Sequence, residues 1–456
     1  MTRVALIHPY WDFWASSVPG DFRGDRERLL ARAADALGPG LDVVARALAG
    51  DDVEARALVE PCRRADVVVV VSTMAVPPGT TMALLEHLPQ TPVLVWALHE
   101  EPRLPADFSH SDITTRGATV GAPMVVSALA RAGRRYDVVM TDLAGASAAR
   151  EAVDAAAAAG VVRGATMLRV GTAMPGYTSV VATDEELAPL GIRSVAVTPR
   201  ELADRIAAVT SGEAGEVRSQ LAEEFLVDPD VDLEALERIA RVEVALDALV
   251  RETGARAGTL NCHVPELRFN TDVGVCPCVA LGRLTTRGVP WTCSGDVVTS
   301  VAMLTVQALG LPTLYHEVEA VDYEQDEVVL ANTGEHDLRL APERPVRLAP
   351  DAWYTGDRLV SPCAQFSIAA SRAALVGFVP LEGLRWIVAD GDFTGSQYPR
   401  TGTPNAGFRF ASGHVTQAWP RWLAAGVVHH SAATNARVGD RVERMARHLG
   451  GDVVRV

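Results

Sequence analysis

Three short, continuous apolar runs in the first hundred residues constrain the fold more than any other feature: VALIHPY from Val4, DVVVVVS from Asp66 and TPVLVWAL from Thr91. A strand whose side chains are nearly all apolar must be covered on both faces, and the Ala- and Leu-rich stretches RERLLARAADALG, Arg56 to Arg64 and TTMALLEHL lie between these runs as covering helices would. With DVVARAL as a further strand, the pattern predicts a parallel sheet between two helical layers. The loops after its strands, Trp11 to Arg23, Thr73 to Thr80 and His99 to Arg103, then gather at the carboxyl edge, where open sheets of this kind bind ligands. No glycine-rich dinucleotide fingerprint follows the first strand, so NAD is not implied.

A second α/β group is expected downstream, with strands in DVVMTDLAG, ATMLRVGTAMPG and RSVAVTP and a helix with its stop over Glu186 to Gly191. A long polar helical stretch, Thr198 through Val250, leads to the segment GTLNCHVPELRF. Beyond Leu340 the Pro- and Arg-rich APERPVRLAP reads as a linker. It opens a region of short alternating runs (AQFSIAAS, ALVGFVP, LRWIVADGDF) punctuated by Gly and Pro, which predicts a β-rich, barrel-like domain. A chain of 456 residues can bury several such cores. The boundaries fall at 1–165, 166–340 and 341–456.

The formal net charge of -15 sets a repelling average field against nucleic acid, though not against neutral sugars. The start MTRVALIHPYWDFW lacks the pattern of a signal peptide, and no apolar run reaches the length of a membrane helix. The six cysteines, Cys62, Cys262, Cys276, Cys278, Cys293 and Cys363, show no repeated CxxC spacing. That spacing argues against a structural zinc site and for a reduced, cytoplasmic protein. Cys276 and Cys278 flank Pro277, and strand alternation would put both on one face as small buried hydrophobes.

Several positions carry chemistry. His429 and His430, near the C-terminus, suit a metal or acid/base site between a small-residue strand and a closing helix. Asp296 has two readings: on an extended strand end it points the same way as Ser294 into a pocket, and at the start of the helix VVTSVAMLTVQAL it is an N-cap. The loop NTGEHD offers Glu335, His336 and Asp337 either to a site or to an ordinary polar turn. Trp11, Phe13, Trp14 and Arg23 crowd the first loop and suit either a sugar, through ring stacking and hydroxyl contacts, or a lid or subunit contact. Asp392, Arg409 and His414 are candidates for the open side of a pocket in the third domain.

The segment PWTCSGDVVTSVAMLTVQALGLPTLYHEVEAVD, together with VHHSAATN, resembles the L-fucose/L-arabinose isomerase family. The order of parts is similar too: two α/β, Rossmann-like parallel-sheet domains, then a β-rich, barrel-like domain that delivers a late histidine. The resemblance implies an aldose–ketose isomerase that moves a proton between C1 and C2 of a small open-chain sugar through an ene-diol. It also implies a divalent metal, Mn²⁺ by preference, and a homo-oligomer, trimeric or hexameric, with a small sugar or polyol as its other partner. The family's metal-binding histidine falls on His430 and its second carboxylate on Glu317. Its first catalytic glutamate falls on Ser294, whose hydroxyl can replace a carboxylate neither as base nor as charged ligand, and a further histidine falls on Asn332.

The chain therefore resembles a divergent member. Its expected catalytic groups are Glu317, Asp296 and His336, and its expected metal ligands Glu317 and His430. Ser294, Glu266 of the loosely matching NCHVPE segment, Trp11, Arg23 and Asn332 are expected around the substrate. Two alternatives stay open: another reaction on a sugar-derived substrate with the metal retained, and a non-catalytic sugar-binding protein.

Overall fold

A computed structural model describes residues 1–270, 273–333, 336–350 and 361–456. They divide into two compact units, Met1–Val161 with Glu443–Gly450, and Val162–Val442 with Gly451–Val456. Among the described residues no helix is long and apolar enough to cross a membrane.

The first unit is built on five parallel strands, β1 (Thr2–Pro9), β2 (Leu41–Ala49), β3 (Val67–Ser72), β4 (Val93–His99) and β5 (Asp137–Asp142), ordered β2-β1-β3-β4-β5. Alternation divides each strand between two cores. Val67, Val69 and Val71 pack with Leu29, Leu30 and Ala33 of the helix Phe22–Ala36 and with Ala149 and Val153 of Ala146–Val162. Val68 and Val70 face Ala55, Leu84, Leu85 and Val125, from the helices Asp52–Arg63, Gly79–Glu86 and Ala118–Arg131. Each fully buried valine contributes roughly 1.5–3 kcal/mol relative to exposure, which explains why a run of five of them fixes the middle strand. The DVVMTDLAG strand, expected to open a second sheet, instead closes this one as β5. Its buried Asp137 binds Arg444 at 2.5 Å and Arg447 at 2.7 Å, on the last helix, Gly439–Leu449.

In the second unit the strands are, in chain order, β6 (Thr166–Val170), β7 (Arg193–Val197), β8 (Phe225–Val227), β9 (Ala257–Leu260), β10 (Trp291–Thr292), β11 (Leu314–Asp322), β12 (Glu327–Ala331), β13 (Val346–Pro350), β14 (Pro362–Gln365), β15 (Ser371–Val379), β16 (Arg385–Phe393), β17 (Asn405–Phe410), β18 (His430–Thr434) and β19 (Asp452–Arg455). A second parallel sheet has the order β10-β9-β6-β7, and a small sheet the order β14-β13-β8. The large β-rich sheet runs β15-β18-β11-β12-β17-β16-β19, and β15 also pairs with β16.

The polar stretch from Thr198 to Val250 is broken into helices Pro199–Ala208, Ser211–Glu224 and Leu233–Thr253, with β8 between the last two. Cys276 and Cys278 do not share a strand face: Pro277 caps the helix Cys278–Thr286, because its fixed φ suits a helix start. The expected linker APERPVRLAP contains β13, which gains two partners, β8 and β14. Glu243, almost fully buried, holds Arg283 at 2.6 Å and Arg287 at 2.7 Å, joining the helices Leu233–Thr253 and Cys278–Thr286. The helix Val297–Ala308 is buried without interruption from Val297 to Val306, with Thr299, Ser300 and Thr305 its polar members there, as befits a helix inside the core. It packs on β9 and β10 and also on β15 and β18, so its N-terminus lies where the parallel and β-rich sheets meet.

Candidate metal centre

Asp296 caps that core helix. Its Oδ1 accepts the Thr299 N–H at 2.8 Å, and the residue is wholly buried. The chain reaches it through a tight turn, Cys293 to Asp296, closed by Asp296 N–H donating to the Cys293 carbonyl at 3.0 Å. Both central residues are left-handed, Ser294 at φ 56° and Gly295 at φ 74°. Glycine is required at the second position: a Cβ there would sit 2.5 Å from Ala173 Cα.

Strand β11 supplies the facing groups. Alternation places Tyr315 and Glu317 on one face, a bulge at Glu319 interrupts the ladder with β12 just beyond them, and the antiparallel register sets Glu317 directly opposite His430, the first residue of β18. His430, almost fully buried, has Nδ1 2.8 Å from Asp296 Oδ2 and Nε2 2.8 Å from Glu317 Oε1. The Tyr315 hydroxyl lies 2.8 Å from the same Nδ1 and 3.5 Å from the same Asp296 oxygen. Burial pushes the His430 pKa down, but hydrogen bonds to Asp296 and Glu317 more than offset it and raise the value to about 9. The His430 hydrogen bond holds Glu317 below the usual carboxylate range. Partial desolvation, and then the Glu317 charge, push the Glu319 carboxyl above it.

The His429 ring lies tilted by 40° against that of His430, with ring centroids 4.0 Å apart, and meets Tyr177 edge-on at 5.0 Å. Ligand atoms of Glu317, His429 and His430 all lie within 4.8 Å of one another, so a carboxylate and two imidazoles can converge on one divalent cation. The fit has a second support in Asp296. It accepts the Nδ1 proton and so leaves Nε2 as the ligand atom, the arrangement by which carboxylates orient metal-binding histidines. Being buried and committed to the helix cap and to His430, Asp296 positions the imidazole; it is the N-cap of the second sequence reading, and the extended strand end of the first is replaced by the Cys293–Asp296 turn.

The other expected residues hold contacts of their own. Ser294 is buried in the turn, and its carbonyl accepts Met174 N–H at 3.1 Å. His336 is buried and its Nε2 donates to the Asn332 carbonyl at 2.7 Å, which ties the loop to itself; burial lowers its pKa to about 4. Asp337 caps the turn Leu338–Leu340 and pairs with Arg339 at 2.6 Å, while Glu335 lies outside the described residues. Glu266 is exposed on the short helix Pro265–Arg268. In the first unit, Arg23 binds Glu54 at 2.5 Å and lies over the Tyr10 ring, and Trp11 stacks on Phe13 at 4.5 Å. Asp392 pairs with Arg372 and Arg437, Arg409 donates to the Gln325 and Asp326 carbonyls, and His414 caps the helix Val415–Ala424.

Sequence reasoning missed three features. The alternation Tyr-x-Glu-x-Glu in LYHEVEAVD was the available signal for Tyr315 and Glu319. A second ligand-bearing group, Cys262, His263 and Cys293, comes from segments thirty residues apart, a separation that no CxxC search detects. The Cys262 hydrogen bond holds the Cys293 thiol well below its usual range against its burial, with His263 adding to the effect. The third is a cavity of about 450 Å³, whose lining includes Arg169, Thr172, Tyr177, Thr259, Gly295 and Val297. Arg169 and Thr259 are register partners on β6 and β9, and the Arg169 Nε and Thr259 Oγ1 are buried without a hydrogen-bond partner among the described residues. Through Tyr177 this cavity adjoins His429. Comparison with protein-family models and with curated protein sequences yields no match.

Proposed function

We propose that this chain is a metal-dependent enzyme acting on a small sugar or sugar-derived polyol, of the aldose–ketose isomerase type. The observation that carries the reading is the convergence of Glu317, His429 and His430 with Asp296 fixed on the far nitrogen of His430. A divalent cation there, with Mn²⁺ the ion the resemblance favours, would supply Lewis-acid stabilisation of the charge that develops on the sugar oxygens. The chain's own residues then have distinct tasks. Asp296 and Tyr315 hold His430 in place, and the neighbouring Glu317 and Glu319 carboxyls, shifted in opposite directions from the usual carboxylate range, are the groups placed to move the sugar proton. The cavity lined by Arg169, Thr172 and Thr259 is within the size range of small-molecule sites and offers unpartnered donors to hydroxyl oxygens.

Ser294 favours a second reading, another reaction on a sugar-derived substrate with the metal retained, because it stands where the resemblance places a catalytic glutamate. One experiment addresses both. Bound metal per chain is measured by elemental analysis for wild type, Glu317→Gln and His430→Ala, and a panel of aldoses is followed for ketose formation and for exchange of the C2 proton with D₂O. Loss of metal in both variants with exchange in wild type supports isomerisation, and loss of metal without exchange supports the second reading. Unchanged metal stoichiometry in both variants overturns the metal centre.

A further inference from the structure

Cys262 follows β9 and Cys293 follows β10, and these strands are parallel neighbours in register, Thr259 opposite Thr292. The two loops therefore leave the sheet side by side at its carboxyl edge. Their thiols lie 3.5 Å apart, and Cys262 is hydrogen-bonded also to Cys276, from a third segment. His263 completes the group through a hydrogen bond to Cys293, and ligand atoms of Cys262, His263 and Cys293 all fall within 4.8 Å of one another. The three cysteines are 3%, 3% and 8% exposed for Cys262, Cys276 and Cys293. Two cysteines and an imidazole thus converge at one point, with Cys276 alongside on Cys262.

Thiols are weak hydrogen-bond partners, and three of them facing one another in a core gain little by packing alone. Distances separate the two chemistries that would use them. A disulfide needs the sulfurs at ~2.05 Å, a closure of ~1.5 Å within packed strand ends. Two thiolates on a tetrahedral zinc ion at ~2.3 Å stand ~3.8 Å apart, an opening of only ~0.3 Å.

We propose that Cys262, Cys293 and His263, with Cys276 next to Cys262 as the fourth donor, form a thiolate-rich site for zinc, distinct in donor chemistry from the carboxylate–imidazole group at Glu317, His429 and His430. Soft thiolates select zinc where oxygen donors select manganese or magnesium. The site anchors the first residue of the Cys293–Asp296 turn, whose last residue orients His430, so a cation here stiffens the platform on which that histidine is held. One contact must give way. Arg268 Nη1 lies 2.9 Å from His263 Nδ1, and a neutral imidazole that binds a cation through Nε2 carries its proton on Nδ1, so Arg268 has to turn aside. Arg268→Ala should then tighten binding at this site and not weaken it.

The test is cobalt substitution in the full chain, because thiolate ligands give Co²⁺ an intense charge-transfer band in the near ultraviolet that carboxylates and imidazoles do not. After chelation, Co²⁺ is titrated into wild type, Cys262→Ser, Cys293→Ser and Glu317→Gln. The expected result is a band saturating near one equivalent, kept in Glu317→Gln, with affinity reduced at least tenfold in each cysteine variant and the band displaced by Zn²⁺. Zinc-edge X-ray absorption of zinc-loaded wild type, which needs no variant to fold, should show sulfur neighbours at ~2.3 Å. Absence of the band, its persistence in both cysteine variants, or a zinc shell of nitrogen and oxygen alone overturns the proposal. None of these readouts depends on whether the Glu317 centre binds metal or turns over a sugar.

Discussion

Glu317 and His430 face each other across the antiparallel ladder of β11 and β18, with Oε1 2.8 Å from Nε2. Since Asp296 occupies the other ring nitrogen at the same distance, the imidazole is clamped between two carboxylates. That clamp is a proton site and, with His429 added, a cation site. The two uses compete for one nitrogen, and most of the expected behaviour of the centre follows from that competition.

Asp296 combines two roles that substitution can separate. Asp296→Asn keeps an oxygen for the Thr299 N–H and should retain the helix cap, while its loss of charge lowers the His430 pKa from about 9. Asp296→Ala loses the cap as well, about 1 kcal/mol by itself, and leaves a buried imidazolium with one carboxylate partner. Urea unfolding should rank wild type above Asn and Asn above Ala. Equal stability of the two variants would show that the cap contributes nothing.

Stability in chelator should depend on pH through His430. Its folded value, about 9, lies above the ordinary 6.5, so the proton's contribution is complete below pH 6.5 and is lost as pH rises through about 9. Glu317 is shifted the other way, so its contribution is present above the ordinary 4.5 and is lost as pH falls through its depressed folded value. Thermal midpoints should therefore decline from pH 6.5 to 9, and His430→Gln should flatten that decline.

Cation binding at Glu317, His429 and His430 requires the Nε2 proton to leave, so about one proton should be released per cation near pH 7.5. Calorimetric titration with Mn²⁺ in buffers of different ionisation enthalpy measures the number. No dependence on buffer would mean that His430 is not a ligand.

Under the proposed reading, Ser294 stands in the place of a catalytic glutamate, which makes it a test of the isomerase chemistry. Wild type should isomerise L-fucose and L-arabinose poorly, and Ser294→Glu should tighten Mn²⁺ binding or raise that activity, since it adds a carboxylate two residues from Asp296. Gly295→Ala, whose Cβ would meet Ala173 Cα at 2.5 Å, should instead disrupt the turn and lower metal affinity. Efficient wild-type turnover of either sugar would place the acid/base elsewhere.

The buried Glu243–Arg283 pair, with the part-exposed Arg287 also on Glu243, is a stability element outside the centre. Glu243→Ala leaves the buried Arg283 guanidinium with Glu224 and Gln220 as its side-chain partners and should cost up to roughly 3 kcal/mol, read as a lower urea midpoint. A loss within error would mean that Glu224 and Gln220, also bound to Arg283, suffice to hold it.

The sequence by itself determined the local architecture. Runs such as Val67 to Val71 can be satisfied only in a sheet covered on both faces, and the helices between them follow from composition and spacing, because burial of a continuous apolar strand is a local property of the chain. His430 and Glu317 were legible as chemically apt residues, and Asp296 as a cap. Tertiary structure alone decided which residues meet. The Glu317–His430 pair depends on the register of strands more than a hundred residues apart, where a slip of one residue would turn both side chains to the other face. The placement of β5 at the edge of the first sheet and the convergence of Cys262, Cys276 and Cys293 depend on which strands become neighbours. Periodicity records how a segment is buried, but pairing partners and register are set by the packing of the whole chain, and the candidate centre is made of those pairings.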